Sequence, residues 1–216
     1  METQISQYTP EWFVERQGAF SGSSVWKLMT DPRSKSEQIS ATAETHIIEK
    51  VWEALSGQTI SGVDNFATAW GNEHEPIAKK WYTKLTGIEV KEAPLCYKPE
   101  LEGFVGSPDG YLGEDGIIEV KCPFNGGNHL KHCMISSDEY FKKEHKDYYW
   151  QCQSYMYLTD RKYTKFVSFD PRINSDFGLF IYHLNRNEED INAMVERIKQ
   201  ARVLYNDYLK IFSGNK

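Results

Sequence analysis

The sequence predicts a mixed α/β fold of the α+β kind, with a central mixed sheet flanked by helices. Three observations point there. Apolar residues recur at helical spacing towards both ends of the chain, and the middle switches to short apolar runs broken by Gly-rich turns. A further helix then separates those runs from two later strands. No internal repeat or low-complexity tract interrupts this order. The 216 residues suit one domain, residues 1–216, long enough to bury a core.

The elements follow from local signals. Thr9-Pro10-Glu11 predicts a helix start, with Thr as cap, Pro at the first helical position and an acid facing the positive end of the helix dipole. This helix carries Trp12, Phe13 and Arg16 and should stop near Gly18. Ser21-Gly22-Ser23-Ser24 predicts the opening of a short second helix through Val25, Trp26, Leu28 and Met29, and residues 31–36 a polar, mobile loop. Helices are expected over 42–55, closed by Ser56-Gly57, and over 75–85, closed by Gly87. Pro76 suits the latter only near its start. Short strands are expected over 94–97, 103–106 and 116–120, with Gly113-Glu114-Asp115-Gly116 turning between the last two. An irregular stretch over 125–143, a helix over 147–158 and strands over 165–169 and 179–184 come next. A last helix over about 188–211 aligns Ile191, Met194, Val195, Ile198, Leu204 and Tyr205 on one face, to be packed on the domain.

Composition narrows the function classes. The first residues lack the basic start and apolar run of a signal peptide, and no stretch approaches a membrane span, so an intracellular, cytoplasmic protein without membrane contact is expected. The cysteines at 96, 122, 133 and 152 form no CxxC pair, which fits neither a zinc site nor a short iron–sulfur run. His129, His132 and Cys133 lack a fourth ligand at useful spacing and read as part of a flexible loop. The net charge of −6 argues against nucleic acid when taken alone. It is unevenly placed: residues 121–146 carry five Lys against three acids.

The chemistry concentrates in Gly106-Ser107-Pro108-Asp109-Gly110 and, ten residues beyond the Asp, Glu119-Val120-Lys121. Asp109 sits where a strand breaks into a turn. Glu119 and Lys121, two apart on a strand, point to one face, so a hairpin can bring all three together. Two carboxylates and the Val120 carbonyl offer hard oxygen ligands for Mg²⁺. Lys121 would orient a water or add positive charge for the transition state. The competing reading is ordinary: an ExK on an edge strand is common surface chemistry, and Asp-Gly is a common turn.

With these blocks the chain resembles the phage lambda exonuclease and YqaJ-type viral recombinase family, a branch of the PD-(D/E)xK nucleases. The likeness runs from about Trp12 to Asp170-Pro171-Arg172. It rests on GFVGSPDG (103–110), IIEVKCPF (117–124), Trp12-x3-Arg16-x-Gly18-x4-Ser23, the Gly71-x3-Glu75 helix and Tyr149-Trp150-Gln151-Cys152-Gln153-Ser154-Tyr155. The resemblance implies a restriction-endonuclease-like core. It also implies metal ligation by Asp109, Glu119, the Val120 carbonyl and Glu75, directly or through water, with Lys121 as catalytic lysine. Gln151 would hold the attacking water or a phosphate oxygen. Glu73 reads instead as a solvent-facing acid, His74 as a partly exposed helix residue and Gln153 as structural. Arg16 and Ser23 would cradle a terminal 5′-phosphate, Ser23 through a helix N-terminus and Arg16 through its fork. An Arg paired with a nearby Glu and a plain Ser cap is the alternative. Trp12 and Trp26 read as core.

The function so implied is a Mg²⁺-dependent exonuclease, with Mn²⁺ able to substitute. It would digest linear double-stranded DNA from its 5′ ends and leave 3′ single strands for phage-type recombination. A homotrimeric ring around DNA and a single-strand annealing protein are the implied partners, and the cytoplasm of a bacterial or phage-infected cell the implied place. The alternatives are a structure- or sequence-directed endonuclease of the same superfamily and an inactive DNA-binding subunit. Intact Asp109, Glu119, Lys121 and Gln151 speak against the last.

Overall fold

A computed structural model describes residues 3–7, 9–34, 38–60 and 66–214; Lys35 and Ser36 of the expected polar loop lie outside them. The chain starts as its caps dictate. Thr9 accepts a hydrogen bond from the Trp12 N–H at 3.3 Å and opens α1 (Pro10–Arg16), a cap worth about 1 kcal/mol. Gly18, at φ +66°, then turns the chain into β1 (Phe20–Ser21). This corner is fastened by Glu53 of α2 (Ala41–Ser56), a buried carboxylate. It accepts from the Gly18 N–H at 3.1 Å, the Ile60 N–H at 3.0 Å and Lys50 Nζ at 2.8 Å. A buried carboxylate is tolerated because its oxygens are met by donors and a cation.

Two sheets form the β layer. In the smaller, β1 lies parallel to β3 (Phe104–Gly106), which runs antiparallel to β2 (Cys96–Tyr97). The larger is mixed, with order β4-β5-β6-β7: β4 (Gly110–Leu112), β5 (Gly116–Lys121), β6 (Tyr163–Phe169) and β7 (Leu179–Asn185). Strands β5 and β6 are parallel and the other pairs antiparallel. A parallel pair needs a crossover, and three helices supply it: α4 (Gly126–His132), α5 (Asp138–Glu144) and α6 (Lys146–Thr159). The chain closes with α7 (Glu188–Phe212). One face of the larger sheet packs Ile117 and Phe166 with Cys152, Met156, Met194 and Ile198 of α6 and α7. The other sets Ile118, Val120, Val167 and Phe169 on Ala78 and Tyr82 of α3 (Phe66–Thr86). Alternation along β5 therefore drives Glu119 into the first face, where it is 1% exposed.

Several sequence expectations are corrected. The helix expected after Ser21 is a three-residue 3₁₀ turn, Val25–Lys27, and its N-cap Ser24 makes no side-chain cap bond. The helix expected from 75 begins at Phe66, so Pro76 lies in its interior, where it has no N–H to give the preceding turn. The stretch 125–143 is not irregular: Asn125 and Ser137 cap α4 and α5 through their side chains. His129 and His132 are buried rather than on a flexible loop, each with Nδ1 2.8 Å from the Ser168 hydroxyl. Two strands, β1 and β4, were unforeseen, being too short to show alternation.

Candidate active site

The hairpin β4–β5 builds the centre of the site. Its ladder stops at the Gly110–Ile118 pair, and Pro108, lacking an N–H, is unsuited to extend it. The Asp109 carboxylate occupies that ladder end, its Oδ2 accepting the Val120 N–H at 2.7 Å. Glu119 and Lys121 share the opposite side of β5 from Val120, and Lys121 Nζ donates to Glu119 Oε1 at 2.5 Å. Glu119 Oε2 is buried without a partner among the described residues. Beyond the pair, Lys121 Nζ lies 5.0 Å from the centre of the Tyr148 ring. From the other face α3 brings Glu75, half-buried and paired with Lys79 Nζ at 2.5 Å. Glu73 is exposed, as its spacing suggests. His74 is more covered than expected: its ring stacks on Trp70 at 3.8 Å and its Nδ1 lies 2.8 Å from the Trp70 carbonyl.

The electrostatics follow from this crowding. Burial, reinforced by Glu119 and Glu75, raises the Asp109 carboxyl well above the usual carboxylate range. Burial also raises Glu119, with Lys121 pulling the other way. Burial opposes the charge on Lys121, but Glu119 and Asp109 outweigh it and hold the ammonium on. Burial, then Glu75 and Asp109, pushes the neighbouring Cys122 thiol up to about 12. A cluster that resists its own negative charge is one that a cation would relieve. Among the described residues no three His, Cys, Asp or Glu side chains already stand as a ligand group. The carboxylates are engaged by Lys121, Lys79 and a backbone N–H instead. The residues fit a divalent cation all the same: the donors are hard oxygens, and Glu119 Oε2 is left unmatched.

Gln151, on α6, is buried and gives an amide hydrogen to the Tyr155 hydroxyl at 3.1 Å. Gln153 turns away: it donates to the Asn185 carbonyl at 2.9 Å and accepts from the Asn187 N–H at 3.0 Å, tying α6 to the β7–α7 turn. Arg16 lies 4.2 Å over the Trp12 ring with Nη2 3.4 Å from the Ser23 hydroxyl. Ser21 lies within 3.2 Å of Ser23 and 3.0 Å of Ser24, so the segment presents grouped hydroxyls. The helix-dipole part of the expectation for Ser23 fails, because three residues of 3₁₀ turn carry little aligned dipole. Trp12 is only partly core, since its indole N–H donates to the Ser107 hydroxyl at 2.9 Å. It thereby joins Arg16 to the Asp109 loop.

Two features escaped the sequence reading. Tyr155, at the meeting point of these blocks, closes the glutamine-helix block of the resemblance but has no role of its own in the sequence. The Arg172 guanidinium, held by both Asp170 oxygens at 2.8 and 2.7 Å and by the Phe124 carbonyl at 2.9 Å, lies 4.7 Å over the Trp70 ring. The exposed Phe66 ring meets Phe124 at 4.8 Å beside it. Only folding brings those separate segments together.

Comparison with known proteins agrees with this architecture. The pattern of the YqaJ-like viral recombinase domain matches residues 11–162. No curated protein matches the chain. Among solved structures, an alkaline exonuclease (LHK-Exo) from Laribacter hongkongensis is similar at 29% identity, with 95% of this chain and 96% of that one covered and a TM-score of 0.80. Its complex with dAMP is similar at 30% identity, covering 95% and 98%, with a TM-score of 0.76. A phage related exonuclease from Haemophilus somnus 129PT shares the fold at 24% identity, covering 90% and 96%, with a TM-score of 0.75. The likeness to the exonucleases supports a nuclease activity in general. The chain belongs to the YqaJ-like viral recombinase domain family and has a PD-(D/E)xK-like nuclease fold.

Proposed function

We propose that the chain is a divalent-metal-dependent deoxyribonuclease that digests linear duplex DNA from its 5′ ends and leaves 3′ single strands. The observation that carries this reading is the buried Glu119, with Oε1 on Lys121 and Oε2 unmatched, beside the Asp109 carboxylate at the end of β5. Asp109, Glu119, the Val120 carbonyl and Glu75 would hold Mg²⁺, or Mn²⁺ in its place. When bound, the ion supplies Lewis acidity and lowers the pKa of a water. Lys121 keeps its proton and offers positive charge to the phosphate oxygens as negative charge builds there. Gln151 places the water, and Arg16 with Ser23 receives a terminal phosphate, so that the scissile bond is presented one step in from the end.

Duplex ends as substrate, a trimeric assembly and a single-strand annealing partner follow the family resemblance, as does a bacterial or phage-infected cytoplasm. Among the described residues no helix is long and apolar enough to cross a membrane. Exposed apolar side chains along α2 (Ile48, Trp52, Leu55) and α3 (Ile77, Trp81, Leu85) offer surface for such partners. The deciding experiment is digestion of linear, nicked and closed circular duplex with and without Mg²⁺. Loss of linear DNA alone, dependent on metal, is expected; cleavage of closed circles would make the endonuclease reading the better one, and cleavage in EDTA would overturn the metal mechanism.

A further inference from the structure

Tyr155 stands where the separate parts of the site meet. Its ring packs against two backbone segments at once: a Cβ on Gly22 would run into Tyr155 Cε1, and one on Gly106 would stand 2.6 Å from the same atom. Gly22 lies between Ser21 and Ser23, and Gly106 directly precedes Ser107 of the Asp109 loop. Those segments are joined side by side, since β1 is parallel to β3 and the Gly22 N–H reaches the Val105 carbonyl at 3.1 Å. Both positions therefore need glycine for close approach to one tyrosine.

The hydroxyl has a specific partner as well. Tyr155 is 3% exposed and accepts the Gln151 amide hydrogen at 3.1 Å. Gln151 Oε1 makes no hydrogen bond among the described residues, and it is not among their sealed polar atoms that lack a partner. With the nitrogen occupied, the amide presents oxygen, an acceptor suited to a water that must lose a proton. The Ser154 hydroxyl, 2.7 Å from the Gln151 carbonyl, steadies the same turn of α6. Burial keeps the Tyr155 hydroxyl protonated far above its ordinary range, and the charges of Glu119, Arg16 and Asp109 all act on it.

We propose that Tyr155 is a positioning residue that holds the Gln151 amide with its oxygen towards the reacting water and keeps the Ser21–Ser23 segment in register with the Asp109 loop. The inference rests on the nuclease reading above and adds to it which residue orients Gln151 and which way the amide points.

The test is a double-mutant cycle on 5′-phosphorylated linear duplex in Mg²⁺, with kcat and KM measured for wild type, Tyr155→Phe, Gln151→Ala and the double variant. Tyr155→Phe keeps the ring between the two glycines and removes only the hydroxyl. It should lower kcat about 5- to 10-fold, the scale of one neutral hydrogen bond, with KM and melting temperature near wild type. In the Gln151→Ala background the same change should cost nothing further, because the amide it orients is gone. Duplex binding in Ca²⁺, followed by fluorescence anisotropy, checks that the variants remain folded and bind DNA. Wild-type kcat in Tyr155→Phe, or independent losses that multiply in the double variant, would overturn the inference while leaving the nuclease reading intact. A wild-type protein that leaves DNA whole would overturn both.

Discussion

Replacing Arg16 by Ala tests whether the chain recognises an end at all. The Arg16 guanidinium stacks on Trp12 at 4.2 Å, and its contact with the Ser23 hydroxyl is long, at 3.4 Å. The stack aims the fork and contributes on the order of 0.5–1 kcal/mol, while so long a contact holds Ser23 only weakly. A phosphate arriving there would form shorter, charge-assisted hydrogen bonds. Bonds to charged groups contribute about 1.5–3 kcal/mol, which corresponds to a roughly 10- to 150-fold faster initial rate on 5′-phosphorylated ends than on 5′-hydroxyl ends. Arg16→Ala should erase most of that ratio, and Arg16→Lys, which keeps the charge but not the fork, should fall between. The assay compares matched linear duplexes that differ only in the terminal phosphate, for all three proteins. Metal-dependent digestion of 5′-hydroxyl ends should survive in Arg16→Ala, because Asp109 and Glu119 are untouched. Equal wild-type rates on the two kinds of end would refute the pocket and remove the case for 5′-end direction.

Other outcomes follow from the same geometry. Asp109→Asn keeps an oxygen for the Val120 N–H but removes a charge that the fold resists. It should abolish cleavage and leave the metal-free protein as stable as wild type or more so. Mg²⁺ at about a hundred times its Kd should stabilise wild type by about 2.7 kcal/mol, a rise of several degrees in Tm that calorimetry should find missing in the variant. Gln151→Ala should slow turnover by about 10²-fold. Gln153→Ala should instead cost about 2 kcal/mol of stability in urea melts, since it strands the Asn185 carbonyl and the Asn187 N–H; the reverse pattern would mean that α6 is rotated from its expected role. His46, buried against Phe20, is lowered to about 4 by burial and then by Lys27. Because the unfolded chain binds the proton first, its contribution is complete above pH 6.5 and is lost as pH falls from 6.5 towards 4. At about 1.4 kcal/mol per pH unit this is roughly 3 kcal/mol. A His46→Leu variant whose melting temperature falls as steeply with acid as wild type would rule it out.

The sequence by itself determined the parts of this protein whose physics is local. Thr9-Pro10 and Ser56-Gly57 mark helix ends because caps act within a few residues. Glu119-Val120-Lys121 placed its two charges on one face because a strand has a period of two. The order of the blocks around Asp109, Glu75 and Gln151 was legible through the family resemblance, and the turning away of Gln153 through the spacing of a helix. Tertiary structure decided the rest. Strands β1 and β4 are two and three residues long, and exist because β3 and β5 are there to pair with them. Pro76 is carried inside α3, whose Ala78 and Tyr82 pack on the sheet, because burial of that face offsets one missing backbone bond. His129 and His132 leave solvent because Ser168, far along the chain, meets both nitrogens. The unmatched oxygen of Glu119, the stack of Arg172 on Trp70 and the seat of Tyr155 between Gly22 and Gly106 likewise come from through-space contacts between distant segments. Spacing along a chain fixes which residues share a face, but packing alone sets which faces meet and which buried groups are left for a ligand to satisfy.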